Sequence, residues 1–234
     1  MNTFEKDSNN QEILLSKDEQ QVMMEWERPY MEASMDMLNP TGHVLEIGFG
    51  CGYSATQIMT YKPKSYTVIE CDPVVIEKAK EWRENYKNIP INIVEGKWQE
   101  KLHILQIFDE IYFDDFPLHL NKNSSQLEIG MSRKRFNLFL DLCIQNHTHI
   151  GSKISCYLNG NGIPQFGSDA SPFIKLQIKT LHIDIPEICN YRNVKEQQCT
   201  IPLITKIKEY DFEYAQQWII EHLQRLQTLK NNKK

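Results

Sequence analysis

Short apolar runs alternate with amphipathic stretches along the 234 residues of the chain. Val44-Leu45-Glu46-Ile47, Ser65–Glu70, Ile91–Glu95, Phe108–Phe113 and 153–158 are bounded by Gly, Pro, Asn or Asp, and each predicts a strand. Residues 53–61, 73–86 and 132–146 carry helical spacing between them, with Pro73 at a first helical turn. The stretch 97–105 predicts a short helix or loop. A helix near 170–178, a strand near 179–185 and a last strand at 199–207 complete the series. Repeated β-α units predict an α/β fold: a mostly parallel, doubly wound, Rossmann-like sheet of seven strands with helices on both faces.

The two ends read differently. Residues 1–12 are polar and acidic and predict a loose, disordered arm. Residues 13–38 read as helix, broken into two pieces near Arg28-Pro29 because proline lacks a backbone donor. Residues 39–42 predict a turn. Between 211 and 229, Ala215, Ile219, His222, Leu226 and Leu229 recur at helical spacing. That face predicts a helix packed on its own domain, with a dimer contact as the other reading. The expected organisation is an arm over 1–12, one domain over 13–208 and a helical extension over 209–234, in a monomer or homodimer.

Composition narrows the classes. A hydrophobic content of 41% suffices for a core, and a net charge of −5, with acids and bases mixed, gives no basic stripe for nucleic acid. The six cysteines are scattered without a C-x-x-C pair, which predicts free thiols in a reducing, cytoplasmic setting and no structural zinc. The start has no apolar signal core, and no apolar run is long enough to span a membrane. His147-Thr148-His149 has no acidic or cysteine company and predicts a loop, not a metal pair. Arg133-Lys134-Arg135 could meet an anion, although a solvated helix start accounts for it as well.

The chemistry centres on 43–53, HVLEIGFGCGY. An apolar strand that breaks into Gly48, Gly50 and Gly52 turns tightly into a helix, where backbone must approach a ligand without Cβ atoms in the way. A dinucleotide site would carry G-x-G-x-x-G, but here Tyr53 takes the place of the last glycine. The pattern E-x-G-x-G-x-G, begun by Glu46, resembles the cofactor loop of class I S-adenosylmethionine (SAM) methyltransferases. Glu70, which lies 18 residues after Gly52, ends the next strand, where a carboxylate can accept both ribose hydroxyls. Asp114 and Asp115 end a further strand, and adjacent buried aspartates are costly unless a cation meets them. A metal ion or a positively charged substrate would meet them. A strand-end turn with capping aspartates is the plainer account.

VMMEWERPYM, VLEIGFG, VIECD, EGKW, FDDFPL and IPLITK occur in order from about residue 20 to 206. Together they resemble the guanidinoacetate N-methyltransferase family and its relatives, the protein arginine δ-N-methyltransferases. The resemblance implies SAM as cofactor and S-adenosylhomocysteine as product. It implies that Met23 and Met31 line the cofactor pocket and that Gly48, Phe49, Gly50, Cys51, Gly52 and Tyr53 hold the methionyl end. Glu70 would take the ribose, with Cys71 and Asp72 beside the adenosine and Lys97 and Trp98 flanking the adenine. Glu27 and Asp114 would grip a small guanidino substrate, Asp114 lying nearest the transferred methyl. Chemistry agrees: two carboxylates match the planar guanidinium fork and can draw a proton from its nitrogen.

The chain departs from the family pattern in places. A Thr-Ser pair that contacts substrate falls here on Gly160 and Asn161, and the usual L-K-P-G-G falls on His149-Ile150-Gly151-Ser152. Methylation of guanidinoacetate to creatine is the leading expectation. Methylation of arginine or of a protein arginine side chain is the second, and a catalytically inactive SAM-binding partner protein is the third.

Overall fold

Three four-residue strands open the chain: β1 (Thr3–Lys6), β2 (Glu12–Leu15) and β3 (Gln21–Met24). They form an antiparallel sheet of their own, ordered β1-β2-β3. The computed structural model describes residues 1–116, 126–158, 169–185 and 197–231. The arm expected over 1–12 and the helix expected from residue 13 are therefore both replaced by strand up to Met24. Side chains make the turns that permit this. Asp7 Oδ1 accepts from the backbone N–H of Asn9 (2.8 Å) and Gln11 (3.0 Å), and Ser16 Oγ accepts from Asp18 (3.3 Å) and Gln20 (3.1 Å). Asn and Asp side chains that imitate a backbone turn compete with helix, and here they win.

Helical structure begins with a 3₁₀ turn at Glu25–Glu27 and continues as α1 (Arg28–Leu38), with Pro29 in its first turn. Proline there removes a donor that would have had no partner. Tyr30, Met31, Ser34, Met35 and Leu38 recur on one buried face of α1, and Asn39 stops it in a left-handed conformation at φ 51°.

The main sheet comprises β4 (His43–Ile47), β5 (Ser65–Glu70), β6 (Ile91–Glu95), β7 (Phe108–Phe113), β8 (Thr148–Cys156), β9 (Ile174–His182) and β10 (Gln198–Lys206). Their order is β6-β5-β4-β7-β8-β10-β9. The first five pair in parallel, and β10 runs antiparallel to both neighbours. The connections leave for opposite sides at β4 and β7, which creates a switch point at their carboxyl ends.

The other helices are α2 (Tyr53–Thr60), α3 (Pro73–Arg83), α4 (Trp98–Lys101), α5 (Gln126–Leu142) and α6 (Phe212–Asn231). A π turn at Cys143–His147 carries α5 into β8. The strand period of two divides the core. Val44 of β4 belongs with Tyr66, Val68 and Tyr112 to the cluster under α1 and α2, whereas Leu45 and Ile47 belong with Phe113 and Phe139 to the opposite one.

Three further boundaries differ from expectation. β8 begins at Thr148, not at 153, and α5 begins at Gln126. The helix expected over 170–178 is a 3₁₀ turn at Ser171–Phe173 followed by β9. Ile174-Lys175-Leu176-Gln177-Ile178-Lys179 alternates apolar and polar residues, which is the period of an edge strand with lysines on its exposed side. The turn expected at 159–162 lies outside the described residues. Among the described residues, no helix is long and apolar enough to cross a membrane.

Candidate functional site

A cavity of about 680 Å³ opens at the carboxyl ends of β4, β5, β7 and β8, and the N-terminal sheet covers it. Its floor begins at the glycine loop. The N–H of Gly48 donates to the Ile69 carbonyl at 2.9 Å, and that of Asp114 donates to the Ile47 carbonyl at 2.9 Å, so three strand ends are tied together by main chain. Gly48 has φ 83°, and a Cβ there would stand 2.2 Å from the backbone oxygen of Asp114. Glycine at this position lets the β4 loop lie against the end of β7, whatever the ligand. A Cβ on Gly50 would meet the thioether of Met23 at 2.7 Å. Met23 in turn crosses from the small sheet and takes the Cys51 N–H on its sulfur at 3.1 Å.

Glu70 ends β5 with its carboxylate on the cavity wall. One oxygen accepts from Phe49 N–H (2.9 Å), the other from Cys71 N–H (2.7 Å) and Asp72 N–H (2.9 Å). Three donors leave part of a carboxylate's accepting capacity for a hydroxyl. Burial raises the proton affinity of Glu70 despite those three bonds. Asp72 caps α3 through the Val74 and Val75 N–H groups, and its other oxygen accepts from Asn2 N–H at 3.1 Å. Lys97 and Trp98 stand at the start of α4. The Trp98 ring packs edge-on against Phe113 and Phe139, and its N–H donates to Asp115 at 3.0 Å.

Five carboxylates thus reach one cavity: Glu27, Glu70, Asp72, Asp114 and Asp115. Glu27 enters from the 3₁₀ turn, is 2% exposed, and accepts from Met24 N–H at 3.2 Å. Burial first, then the negative charge of Asp115, push Asp114 up to about 7, with Arg135 pulling the other way. Burial also raises Asp115. Such a crowd of acids is strained when empty and relieved by positive charge. A sulfonium with an ammonium group and a guanidinium are cations of the kind that would relieve it. The glycine loop, the partly free Glu70 and the aromatic wall at Trp98 therefore fit S-adenosylmethionine.

Met23, Glu27, Gly48, Gly50, Glu70, Cys71, Asp72, Lys97, Trp98 and Asp114 all line the cavity. Others point elsewhere. Met31 is fully buried and receives the Tyr112 hydroxyl on its sulfur at 3.1 Å. The Phe49 ring packs against Trp82, so its contribution is its main-chain N–H to Glu70. Cys51 is buried, and Gly52 caps α2 in a left-handed conformation. Tyr53 is buried outside the cavity wall, donating to Glu12 at 3.0 Å with Arg28 over its ring at 4.5 Å. Glu46 is not at the cavity: it is fully buried against Ser54 and Tyr66, which donate short hydrogen bonds, and burial raises it to about 8. Gly160 and Asn161 lie outside the described residues. His147 and His149 have separate partners, the Gln106 carbonyl and Asp109.

Several lining residues go beyond the sequence reading: Leu14 and Val22 from the small sheet, Lys17 from its turn, Tyr157 after β8 and Arg135 on α5; Asp115, read with Asp114 as a pair that a cation would meet, lines the cavity too. In the sequence Arg135 stands out only as part of a basic triplet. Tyr30 holds this rim from behind. Its hydroxyl lies 2.9 Å from the Thr200 carbonyl and 3.2 Å from that of Cys156, and accepts from Leu158 N–H at 3.1 Å.

Comparison with known proteins places these features in context. The family model described as guanidinoacetate N-methyltransferase matches residues 2–137. Protein arginine N-methyltransferase 2 of Candida glabrata is 39% identical over 110 residues, covering 42% of this chain and 26% of its own. The Saccharomyces cerevisiae protein of that name is 33% identical over 120 residues, covering 46% and 28%. The chain thus spans only about a quarter of the length of these curated relatives. Among solved structures, the N-methyltransferase NodS of Bradyrhizobium japonicum superposes with TM-score 0.54 at 12% identity, over 78% of this chain and 97% of its own. An O-methyltransferase of Bacillus cereus in complex with SAH gives 0.52 at 11% identity, over 79% and 82%. These likenesses show the Rossmann-like methyltransferase fold.

Proposed function

We propose a function from one premise: the chain belongs to the guanidinoacetate N-methyltransferase family, whose model spans the glycine loop, Glu27, Glu70 and Asp114. It is a class I methyltransferase, and its cofactor is S-adenosyl-L-methionine, released as S-adenosyl-L-homocysteine. Our reading is that it methylates a guanidino nitrogen, with guanidinoacetate, giving creatine, as the leading substrate. The observation that carries this is the pair Glu27 and Asp114, two carboxylates from unconnected elements that line one cavity.

The bound cofactor supplies a methyl group activated as a sulfonium. The protein's part is to hold and prepare the nucleophile. Glu27 and Asp114 accept charge-assisted hydrogen bonds from the guanidinium and fix its plane. Held there, positive charge concentrates away from the attacking nitrogen, which recovers a lone pair. Asp114 takes the proton that nitrogen sheds as the new N–C bond forms and the S–C bond breaks. A base with proton affinity near neutrality is suited to this, and Asp114 sits at about 7. Main chain at Gly48 and Gly50, with Glu70, Cys71, Asp72, Lys97 and Trp98, is assigned to the cofactor. Met31, Phe49, Cys51, Gly52 and Tyr53 are assigned to shaping that wall from behind. Residues up to β10 are read as the functional unit, with α6 as an extension.

A second reading is methylation of arginine, free or in a protein. It draws on the relatives named protein arginine N-methyltransferase 2. The test is transfer of labelled methyl from S-adenosylmethionine to guanidinoacetate, free arginine and arginine-containing peptides, with product identification. Creatine as the favoured product supports the leading reading. Methylated arginine in its place moves the assignment to the second. Cofactor binding without transfer to any of them overturns both.

A further inference from the structure

Asp114 sits in a nearly all-acidic surrounding. From β7 and its end it meets Tyr112 and Asp115, from β5 Glu70, from β4 Glu46, from α1 Tyr30 and from β8 Cys156. Glu27 lines the same cavity. Arg135 alone among these neighbours brings positive charge. Lys17 and Lys97 also line the wall, but Lys17 is exposed on the β2–β3 turn and Lys97 acts on Cys71.

Arg135 is held rather than loose. Its Nε stands 3.1 Å from Asp115 Oδ2, and an Nη hydrogen-bonds the Asp115 backbone carbonyl. The same Asp115 Oδ2 accepts from the Trp98 N–H at 3.0 Å. One guanidinium therefore meets both the side chain and the main chain of the residue next to Asp114, while Trp98 of α4 binds the same side-chain oxygen. The Nη bond to main chain sets the direction of the guanidinium, and the ion pair keeps its charge beside Asp115.

We propose that Arg135, clamped by Asp115, is a positioning residue for Asp114: it supplies the positive charge that lets Asp114 give up its proton within a wall of carboxylates, and it fixes the Asp114–Asp115 corner. Asp115 has two opposed effects. Its own charge discourages ionisation of Asp114, and its grip keeps the compensating arginine in place. The pair sets the pH at which Asp114 becomes a base. This rests on the reading of Asp114 as the proton acceptor, but its test does not depend on any substrate being right.

The test is a pH titration of aspartate carboxyl signals by ¹³C NMR on the full chain, with Asp114→Asn to identify the Asp114 signal. The wild-type midpoint is expected at about 7. Arg135→Gln should raise it by about one pH unit or more, the usual influence of an adjacent arginine. Arg135→Lys, which keeps the charge, should return most of that rise, and Asp115→Asn should lower the midpoint. Should Arg135→Gln fail to fold, the lysine and Asp115 variants carry the test. Midpoints that stay put in the charge-changing variants, or that move in one common direction, overturn the proposal. A second readout is the acidic limb of kcat/KM for guanidinoacetate, which should move with each midpoint. If wild type transfers to no guanidine, the functional reading fails while the titration still decides the role of Arg135.

Discussion

The two walls of the cavity are built in different ways. One wall, from Gly48 through Glu70 to Asp114, is made of strand ends locked by main-chain bonds between neighbours in a parallel sheet. The other, from the first residues to Glu27, is tied on by side chains that reach across the molecule. Asn2 binds Asp72, Lys78 pairs with Glu12 and stacks over Phe4 at 4.0 Å, and Tyr53 binds Glu12. The first wall cannot shift without breaking the sheet. The second can detach at the cost of a few partly exposed contacts. A cavity that must admit and release ligands needs one wall of each kind, with the rigid one carrying the chemistry.

The sharpest test of that division is Asp114→Asn. It should lower methyl transfer by roughly 10²–10⁴-fold, the usual contribution of a general base, while binding of S-adenosylhomocysteine survives. The same change should stabilise the empty protein at pH 8. Burial holds Asp114 protonated up to about 7, above its unfolded value of 3.8, so the folded state binds the extra proton between those limits. That stabilising contribution is complete below the unfolded value and is lost as pH rises through about 7. An uncharged amide avoids the loss, so thermal unfolding of the variant should occur higher than wild type at pH 8 and differ less at pH 5. A lower Tm at pH 8 would mean that Asp114 is structurally satisfied, contrary to its proposed role.

Gly48→Ala should come next and act through the rigid wall alone. Its φ of 83° and the 2.2 Å approach to the Asp114 carbonyl are both main-chain constraints, so neither can be relieved by turning a side chain. The left-handed conformation alone costs about 1–2 kcal/mol, and the clash adds to it. Tm should fall by several degrees, with weaker S-adenosylhomocysteine binding. Unchanged Tm and binding would show that this wall yields as readily as the other.

Glu27→Gln probes the junction, since Glu27 ends the side-chain-tied segment yet is itself buried. The amide oxygen can still accept from Met24 N–H, so the local turn should persist and the lost quantity is charge. KM for the guanidino substrate should rise by about tenfold or more, as expected for a charge-assisted hydrogen bond, with cofactor affinity little changed. Equal weakening of cofactor and substrate would place Glu27 with the cofactor.

The same division explains what could be read from the sequence. The rigid wall is partly local: the glycines and the acid that ends the next strand lie within one β-α-β segment, while Asp114 ends a later apolar strand, so run and spacing bring Gly48, Glu70 and Asp114 to one sheet edge. Seen from the sequence, 1–24 looked disordered and then helical, because its strands are four residues long and its turns are stabilised by Asp7 and Ser16 side chains. Two polar clusters rich in Asn, Asp and Ser flanking Ile13-Leu14-Leu15 were the available signal for a meander. Met31 and Tyr53 were carried onto the site by resemblance, but sequence does not say which way a side chain turns. Arg135 was hidden for a third reason: its place on the cavity wall, held by Asp115, is a tertiary contact with no sequence period.

The smallest expected effect belongs to the tied wall. Lys78→Ala removes the partner of Glu12 and the cation over Phe4, both of them partly exposed, with side chains of Lys78 and Glu12 at 28% and 34% exposure. Ion pairs of that kind contribute about 0–1 kcal/mol, so Tm should change by no more than a few degrees. Stacking of Lys78 on the ring adds a similar small amount. The informative readout is kinetic: with the cover more weakly held, dissociation of S-adenosylhomocysteine in stopped flow should quicken several-fold. High salt should quicken it in wild type too, and less in the variant, because screening acts on the same pair. If dissociation is unchanged by either, the small sheet does not need to open for exchange. The N-terminal strands would then be part of the rigid wall despite their side-chain ties.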